Sequence, residues 1–368
     1  MQPNLKSQHK PDYFLIFVII AILLVGTIMV YSASSIWAEY KFNDSFYFLK
    51  RQLLFAGVGV IAMLIVSNIP YFQWIKYRKW IFIGSLILLV AVLIPGIGMV
   101  RGGARSWIGV GAFSIQPAEF IKLAMIMFLS GFLVNHQDKI TEFKKGFLPP
   151  LFLSVVVFLI IMLQPDLGTG MVFLLTCFVL IFVAGAKIIH FVFLAGFGVI
   201  GFLLLIISAP YRINRITAFL DPWQDPLGTG FQIIQSLYAI GPGGLLGVGF
   251  GNSLQKYFYL PEPHNDFIFA IIAEELGFLG AGFVIVLFFL FIWRGILTAI
   301  HAPDLFARLL AIGIVGMIAI QVMINISVVI GLIPVTGITL PFLSYGGSSL
   351  TLTLCSVGIL INISKYRQ

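Results

Sequence analysis

The chain has 368 residues, of which 60% are hydrophobic and only 10% charged, where a soluble domain carries about 25% charged residues. Its mean hydropathy is +1.06, which excludes a soluble domain of useful size and describes a polytopic membrane protein, a single domain over residues 1–368. The formal net charge is +8, but the basic residues are scattered through loops, so they orient the chain in a membrane and do not form a nucleic-acid surface.

A helix needs about 20 apolar residues to span a bilayer. Ten stretches qualify, at 13–33, 48–68, 80–98, 117–135, 148–164, 168–185, 189–209, 266–293, 306–331 and 346–363. The predicted fold is therefore all-α, with ten transmembrane helices. The first stretch is too long for a signal-peptide core and leads into more membrane protein, so it reads as an uncleaved span. The fifth and sixth meet at QPDLG in a tight hairpin. Between the seventh and eighth lies a large loop, about 210–265, whose FQIIQSLYAIGPGGLLG segment is apolar enough for a re-entrant or interfacial helix. Cys177 and Cys355 lie in apolar runs and read as small buried hydrophobes.

Thirteen of the 22 Lys and Arg residues fall in short loops and tails on one side, among them Lys10, Lys76, Lys144, Arg308 and Arg367. Eight are spread over the longer loops of the other side, and Lys122 sits within a span. The excess of short-loop cations makes the first side cytoplasmic, with both termini on it. The acids run the other way: Asp12, Asp138, Glu142 and Asp304 are cytoplasmic, and the remaining ten lie in the outer loops or outer halves of helices.

An ionisable group within a membrane marks a candidate functional site. In PEPHNDFIFAIIAEELGFLGA, Asp266 enters an apolar helix from the outer loop, near His264, Arg212, Arg215 and Lys256. It suits a general base at the water boundary, and equally a helix N-cap. Helical spacing would align Asp266, Ala270 and Glu274 on one face, with Glu274 about 12 Å deeper. Glu274 and Glu275 diverge by about 100°, so one should face the bundle, paired with Lys122, Arg294 or a Gln. Glu119 and Lys122 share a helix face, as a structural ion pair or as the lining of a polar cavity. Arg101 and Arg105 stand among glycines in an outer loop. Asp166 is a candidate site acid or a turn former. Arg212 and Arg215 suit a diphosphate, or snorkel at a helix end. GLIPVTGITLPFLSYGGSS is irregular backbone that must be buried in protein or line a cavity. GLLGVGFGN resembles a nucleotide loop but lacks a preceding strand, and no spacing resembles a zinc site.

RSWIGVGAFSIQPAEFIKLA, QPDLGTG, GFQIIQSLYAIGPGGLLGVGFG, LPEPHNDFIFAIIAEELG and PVTGITLPFLSYGGSS resemble the signature segments of the SEDS family (shape, elongation, division and sporulation). They stand in the family's order, from about Val30 to the end of the chain. FSIQPAEF and the loop after the first span are closer to the FtsW branch than to RodA, and the short tails are most like its sporulation member. The resemblance implies a ten-span fold that polymerises lipid II on the outer membrane face, beside a class B penicillin-binding protein. It puts the family's essential aspartate on Asp266 and its other polar positions on Arg105, Glu119, Lys122, Asp166, Arg212, Arg215, Gln232, Gln235 and Glu275. Asp266 would take the proton from the acceptor's 4-hydroxyl as undecaprenyl diphosphate leaves, with inversion. Arg and Lys would stabilise the leaving group, with a divalent cation such as Mg2+ as a candidate cofactor. A lipid II flippase is the alternative, and a scaffold recruiting a synthase a third reading.

Overall fold

The computed structural model describes residues 9–101, 103–110, 113–207 and 210–367. In chain order these form α1 (Tyr13–Phe42), α2 (Tyr47–Asn68), α3 (Tyr71–Ala91), the strands β1 (Gly98–Arg101), β2 (Ala104–Val110) and β3 (Phe113–Ile115), then α4 (Pro117–Asn135), α5 (Leu148–Met162), α6 (Leu167–Val183), α7 (Ile188–Ile207), α8 (Pro210–Leu220), α9 (Phe231–Gly243), α10 (Ile268–Ile300), α11 (Leu305–Val329) and α12 (Gly347–Ser364). Seven helices among the described residues are long and apolar enough to cross a membrane: α1, α2, α4, α5 with its preceding turn, α10, α11 and α12. α6 is a shorter apolar helix, as is the first part of α7. In lipid each backbone N–H and C=O must be paired within the chain, which is why apolar sequence of this length becomes helix. The spanning helices are largely apolar on every face, whereas α8 is amphipathic. α1 buries Leu15, Ile19, Ile22 and Met29, while Phe17, Leu24 and Ile28 point out of the bundle.

Three sequence expectations change. The first helix continues to Phe42 rather than 33, because nothing in VYSASSIWAEYKF interrupts it before Asn43 turns left-handed at φ 53°. α3 begins at Tyr71 behind Pro70, and its first turns carry Lys76, Arg78 and Lys79, charges that displaced the predicted span to 80–98. The fold is not all-α: β1, β2 and β3 form an antiparallel sheet in that order. The strand residues follow the Pro95–Gly96 break in segments too short to span as helix, so strand pairing satisfies their backbone instead.

α12 packs along α2, α3 along α4, and α10 against α1, α9 and α11, with α4, α6 and α11 in mutual contact. The sheet rests on α4 and α12. At the end where α2 turns into α3, Asn362 accepts from Tyr71 N and donates to Ser67 O, both at 2.8 Å. The Tyr71 hydroxyl donates to Asp304 Oδ2 at 2.6 Å.

α10 is broken at Gly277, whose φ of 64° and ψ of −163° lie outside helical space. An unbroken helix would bond Phe278 N to Glu274 O and Leu279 N to Glu275 O. Instead Phe278 N donates to Gly244 O at 2.9 Å and Leu279 N to Leu245 O at 3.1 Å. The freed carbonyls of Glu274 and Glu275 accept from Val248 N at 2.9 Å and Gly249 N at 3.1 Å. The outer loop thus replaces two helical bonds with four of its own. A Cβ at Gly277 would stand 2.3 Å from Gly247 N, and this backbone region is essentially restricted to glycine at about 1–3 kcal/mol for other residues. Gly277→Ala is expected to lower the melting temperature in detergent markedly, whereas Gly282→Ala, with nothing within 4 Å of its added methyl, should leave it unchanged or raise it.

Candidate active site

Asp266 stands one residue before the N-cap position of α10, which is Phe267 and makes no side-chain cap bond. It is therefore outside α10, and the predicted face of Asp266, Ala270 and Glu274 does not form. The preceding residues are spent on a turn: Glu262 has φ 45°, and Asn265 Nδ2 donates to Glu262 Oε2 at 2.7 Å. Asn325, buried on α11, fixes this segment by donating to Asp266 O and to Ile338 O, both at 2.7 Å. The 332–346 connection then forms a wall of the site, so that a Cβ at Gly337 would be 3.7 Å from Asp266 Oδ2.

The Asp266 side chain is half-buried. Burial pushes its carboxyl up to about 7; Glu262 and Asp166 add to the rise and Arg215 opposes it. Asp166, in the outer turn before α6, caps that helix by accepting from Thr169 N at 3.0 Å. Burial raises its pKa too, against the Thr169 hydrogen bonds that favour its charge; Glu119 adds to the rise and Lys122 opposes it. Gln116 donates to Asp166 Oδ2 at 2.9 Å. Behind it, Lys122 pairs with Glu119 at 2.7 Å, and Ser349 donates to Glu119 Oε2 at 3.3 Å. On the open side, Arg215 Nη1 donates to Val335 O at 2.9 Å. Arg215, Asn214, Thr229, Gln232, Pro261 and Val335 line a cleft of about 380 Å³. Asp166 and Asp266 thus act on each other electrostatically, and Arg215 of the cleft wall acts on Asp266.

The sequence matches the family of cell cycle proteins that groups FtsW, RodA and SpoVE over residues 13–368. The chain belongs to the SEDS family. It is 63% identical over 362 residues to stage V sporulation protein E of Bacillus subtilis (strain 168), covering 98% of this chain and 99% of that protein. It is 44% identical to a probable peptidoglycan glycosyltransferase FtsW of Geobacter sp. (strain M18), over 96% of each chain. Among solved structures, it resembles a chain from work on structural coordination of polymerization and crosslinking by a peptidoglycan synthase complex, with TM-score 0.79 and 32% identity over 97% of this chain and 98% of that one. It also resembles the rod shape determining protein RodA of Thermus thermophilus, with TM-score 0.70 and 28% identity over 97% of each chain.

In this SEDS chain, the residues singled out by sequence fall into two groups. Asp266, Asp166, Glu119, Lys122, Arg215 and Gln232 gather as described. Gln235 is half-buried on α9, and Arg105 is half-buried on β2. Arg212 lies on α8 by its backbone, and its side chain falls outside the described residues. Glu275 has different neighbours. It is 0% exposed, paired with Lys256 at 3.1 Å and bonded by Ser32 Oγ at 2.6 and 2.7 Å. Glu274 is buried as well, accepting from Ser253 Oγ at 2.5 Å and Leu254 N at 2.8 Å. Both glutamates are thus satisfied by the 248–256 loop, not one of them by Lys122, Arg294 or a Gln, because the break at Gly277 brings that loop against α10. Lys256 also donates to Gly251 O and is no part of the cleft. His264 packs on Phe48 with ring centroids 4.3 Å apart, and burial lowers its pKa to about 4, so it is a neutral packing residue. Gln116 and Asn325 were missed; a lone Asn within the apolar run of α11 was the available signal.

The donor set does not make a dedicated divalent-cation site. No three His, Cys, Asp or Glu side chains converge among the described residues, and both oxygens of Asp166 and of Glu119 already have protein partners.

Removing one member of the Glu119–Lys122 pair leaves a buried charge alone, at about 3–5 kcal/mol. Glu119→Gln and Lys122→Met should each lower the melting temperature in detergent, and the double variant should be no worse than either single one. Additive losses would assign the two residues separate roles.

Proposed function

We propose that this peptidoglycan glycosyltransferase polymerises lipid II with Asp266 as its general base. One observation carries the reading: Asp266 caps no helix, and burial raises its pKa to about 7. That is the property a base needs at neutral pH. The Asp266 carboxylate takes the proton of the acceptor's 4-hydroxyl. The freed oxygen attacks the anomeric carbon of the donor from the face opposite the leaving group. The bond to undecaprenyl diphosphate breaks with its electron pair, so configuration inverts. Arg215 at the cleft, with Arg212 and Arg105, meets the charge developing on the diphosphate. Lys122 and Asp166 set the field behind the base, and Gln232 and Gln235 contact the sugars. Glu275 serves the reaction by holding the 248–256 loop in place.

The apolar helices α1–α7 and α10–α12 are the ten spans in this reading, with both termini cytoplasmic and Asp266 on the outer face of a bacterial cell membrane. The likeness to a chain of a peptidoglycan synthase complex supports a class B penicillin-binding protein as partner. The 63% identity to a stage V sporulation protein supports a role in spore cortex synthesis.

Asp266→Asn keeps the size and removes the base. It should reduce glycan polymer on gels by about 10²–10⁴-fold. The folded carboxyl titrates near 7 and an unfolded one near 3.8, so stability held at low pH is lost as pH rises through 7. The Asn variant should accordingly melt no lower than wild type at pH 8. A stable variant with near-normal polymer would overturn the assignment, and transport of lipid II without polymer would favour the flippase.

Wild-type turnover should rise about tenfold per pH unit below 7 and level off above it, because only the ionised Asp266 accepts a proton. Arg215→Ala should weaken lipid II binding roughly 10- to 100-fold, read by titration with labelled lipid II.

A further inference from the structure

At the other end of α10, about 40 Å from Asp266 by helical rise, a second cleft of about 400 Å³ is lined by His9, Asp12, Arg294, Thr298, His301 and Arg367. Three separate parts of the chain build it. His9 N donates to Lys365 O at 2.8 Å and Asp12 N to Ser364 Oγ at 3.1 Å, so the segment before α1 is tied to the end of α12. Arg294 joins them from α10, its Nε and Nη2 donating to Asp12 Oδ2 at 3.0 and 2.5 Å.

The chemistry left over in this cleft is one-sided. Asp12 is its sole lining carboxylate among the described residues, and both its oxygens are engaged, Oδ1 by Leu15 N at 3.0 Å and Oδ2 by Arg294. Thr298 donates its hydroxyl to Arg294 O at 3.0 Å. What remains is the second edge of Arg294, the exposed Arg367, and the rings of His9 and His301. His301 Nδ1 is held by Leu297 O at 2.8 Å, so the phosphate donors of the cleft are its guanidiniums. Two guanidiniums match a phosphate, whose oxygens accept from planar guanidinium donors in pairs.

The rim says which phosphate. Tyr13, Phe17, Trp293, Ile296 and Ile300 beside the cleft are all exposed, and Arg294 lies 5.5 Å from the Phe14 ring. Exposed aromatic and aliphatic side chains around a cationic cleft, at the end of a membrane helix, suit acyl chains continuing from a headgroup.

We propose that this cleft binds the phosphate headgroup of an anionic phospholipid, whose acyl chains run along the exposed faces of α1 and α10. The site is separate from Asp266 and takes no part in glycan transfer. It joins the start of the chain, the end of α10 and the end of α12 through a ligand that a membrane supplies.

The test uses the full-length protein purified in detergent, with bound lipid counted by native mass spectrometry and stability by thermal melting. The probes are phosphatidylglycerol, phosphatidylcholine and inorganic phosphate. Phosphatidylglycerol should be retained and should raise the melting temperature, phosphatidylcholine should do so far less, and millimolar inorganic phosphate should have no effect. Arg367→Gln should weaken phosphatidylglycerol retention roughly 10- to 100-fold, while Arg367→Lys keeps most of it. Lipid-free melting and polymer formation should be unchanged in both variants, since Arg367 lacks a role in the catalytic cleft. Equal retention by wild type and Arg367→Gln, or equal retention of the two lipids, overturns the proposal. Stabilisation by inorganic phosphate equal to that by phosphatidylglycerol overturns the lipid assignment in favour of a free phosphate ligand. If Arg367→Gln does not fold, Arg367→Ala is read against the same outcomes.

Discussion

Four backbone hydrogen bonds between α10 and residues 244–249 hold the outer part of this protein to its helical bundle. Nothing in the bilayer interior can satisfy a broken helix, so a break there survives only if protein fills it. Gly277 makes the break, and the loop fills it. The exchange fixes where the outer loop leaves α9, how close 248–256 lies to α10, and where the chain re-enters at Asp266. Removing the glycine would disturb all three.

This constraint separates two kinds of carboxylate. Glu274 and Glu275 lie deep but are saturated: two serines, backbone amides and Lys256 occupy their oxygens. Glu119 is likewise held by Lys122, and Asp12 by Arg294. The oxygens of these groups are already engaged by cations, hydroxyls or backbone amides, which offsets part of the cost of burying them. Asp266 has the reverse character. Its backbone is clamped by Asn325, and burial raises its carboxyl to about 7 although Arg215 opposes the rise. Depth in the membrane is therefore a poor guide to chemistry in this fold, and the state of satisfaction is a better one.

The candidate site also illustrates how a membrane bundle can gather charged residues from several elements. α11 supplies the clamp, α4 and the turn before α6 the charged back wall, α8 and α9 the cationic cleft, and the 332–346 connection a wall beside Asp266. Strained backbone marks the same places, with Glu262 at φ 45° and Phe342 at φ 65°, a cost that tertiary packing must offset.

Composition and apolar run length alone determined that the chain is a membrane protein built of long helices, because the bilayer leaves a backbone few other choices. The ordered motifs identified the family, and through it Asp266, Asp166, Glu119, Lys122 and Arg215. Helical spacing also paired Glu119 with Lys122, a contact three residues apart that local geometry dictates. What sequence could not decide was every contact made across the fold. The partners of Glu274 and Glu275, Asn325 beneath Asp266, Gln116 on Asp166, and Arg294 on Asp12 join residues 19 to 282 positions apart. The small sheet and the break at Gly277 were hidden as well. A glycine inside an apolar helix reads as a weak helix former, and only the packed loop beside it turns that glycine into the point where the fold divides.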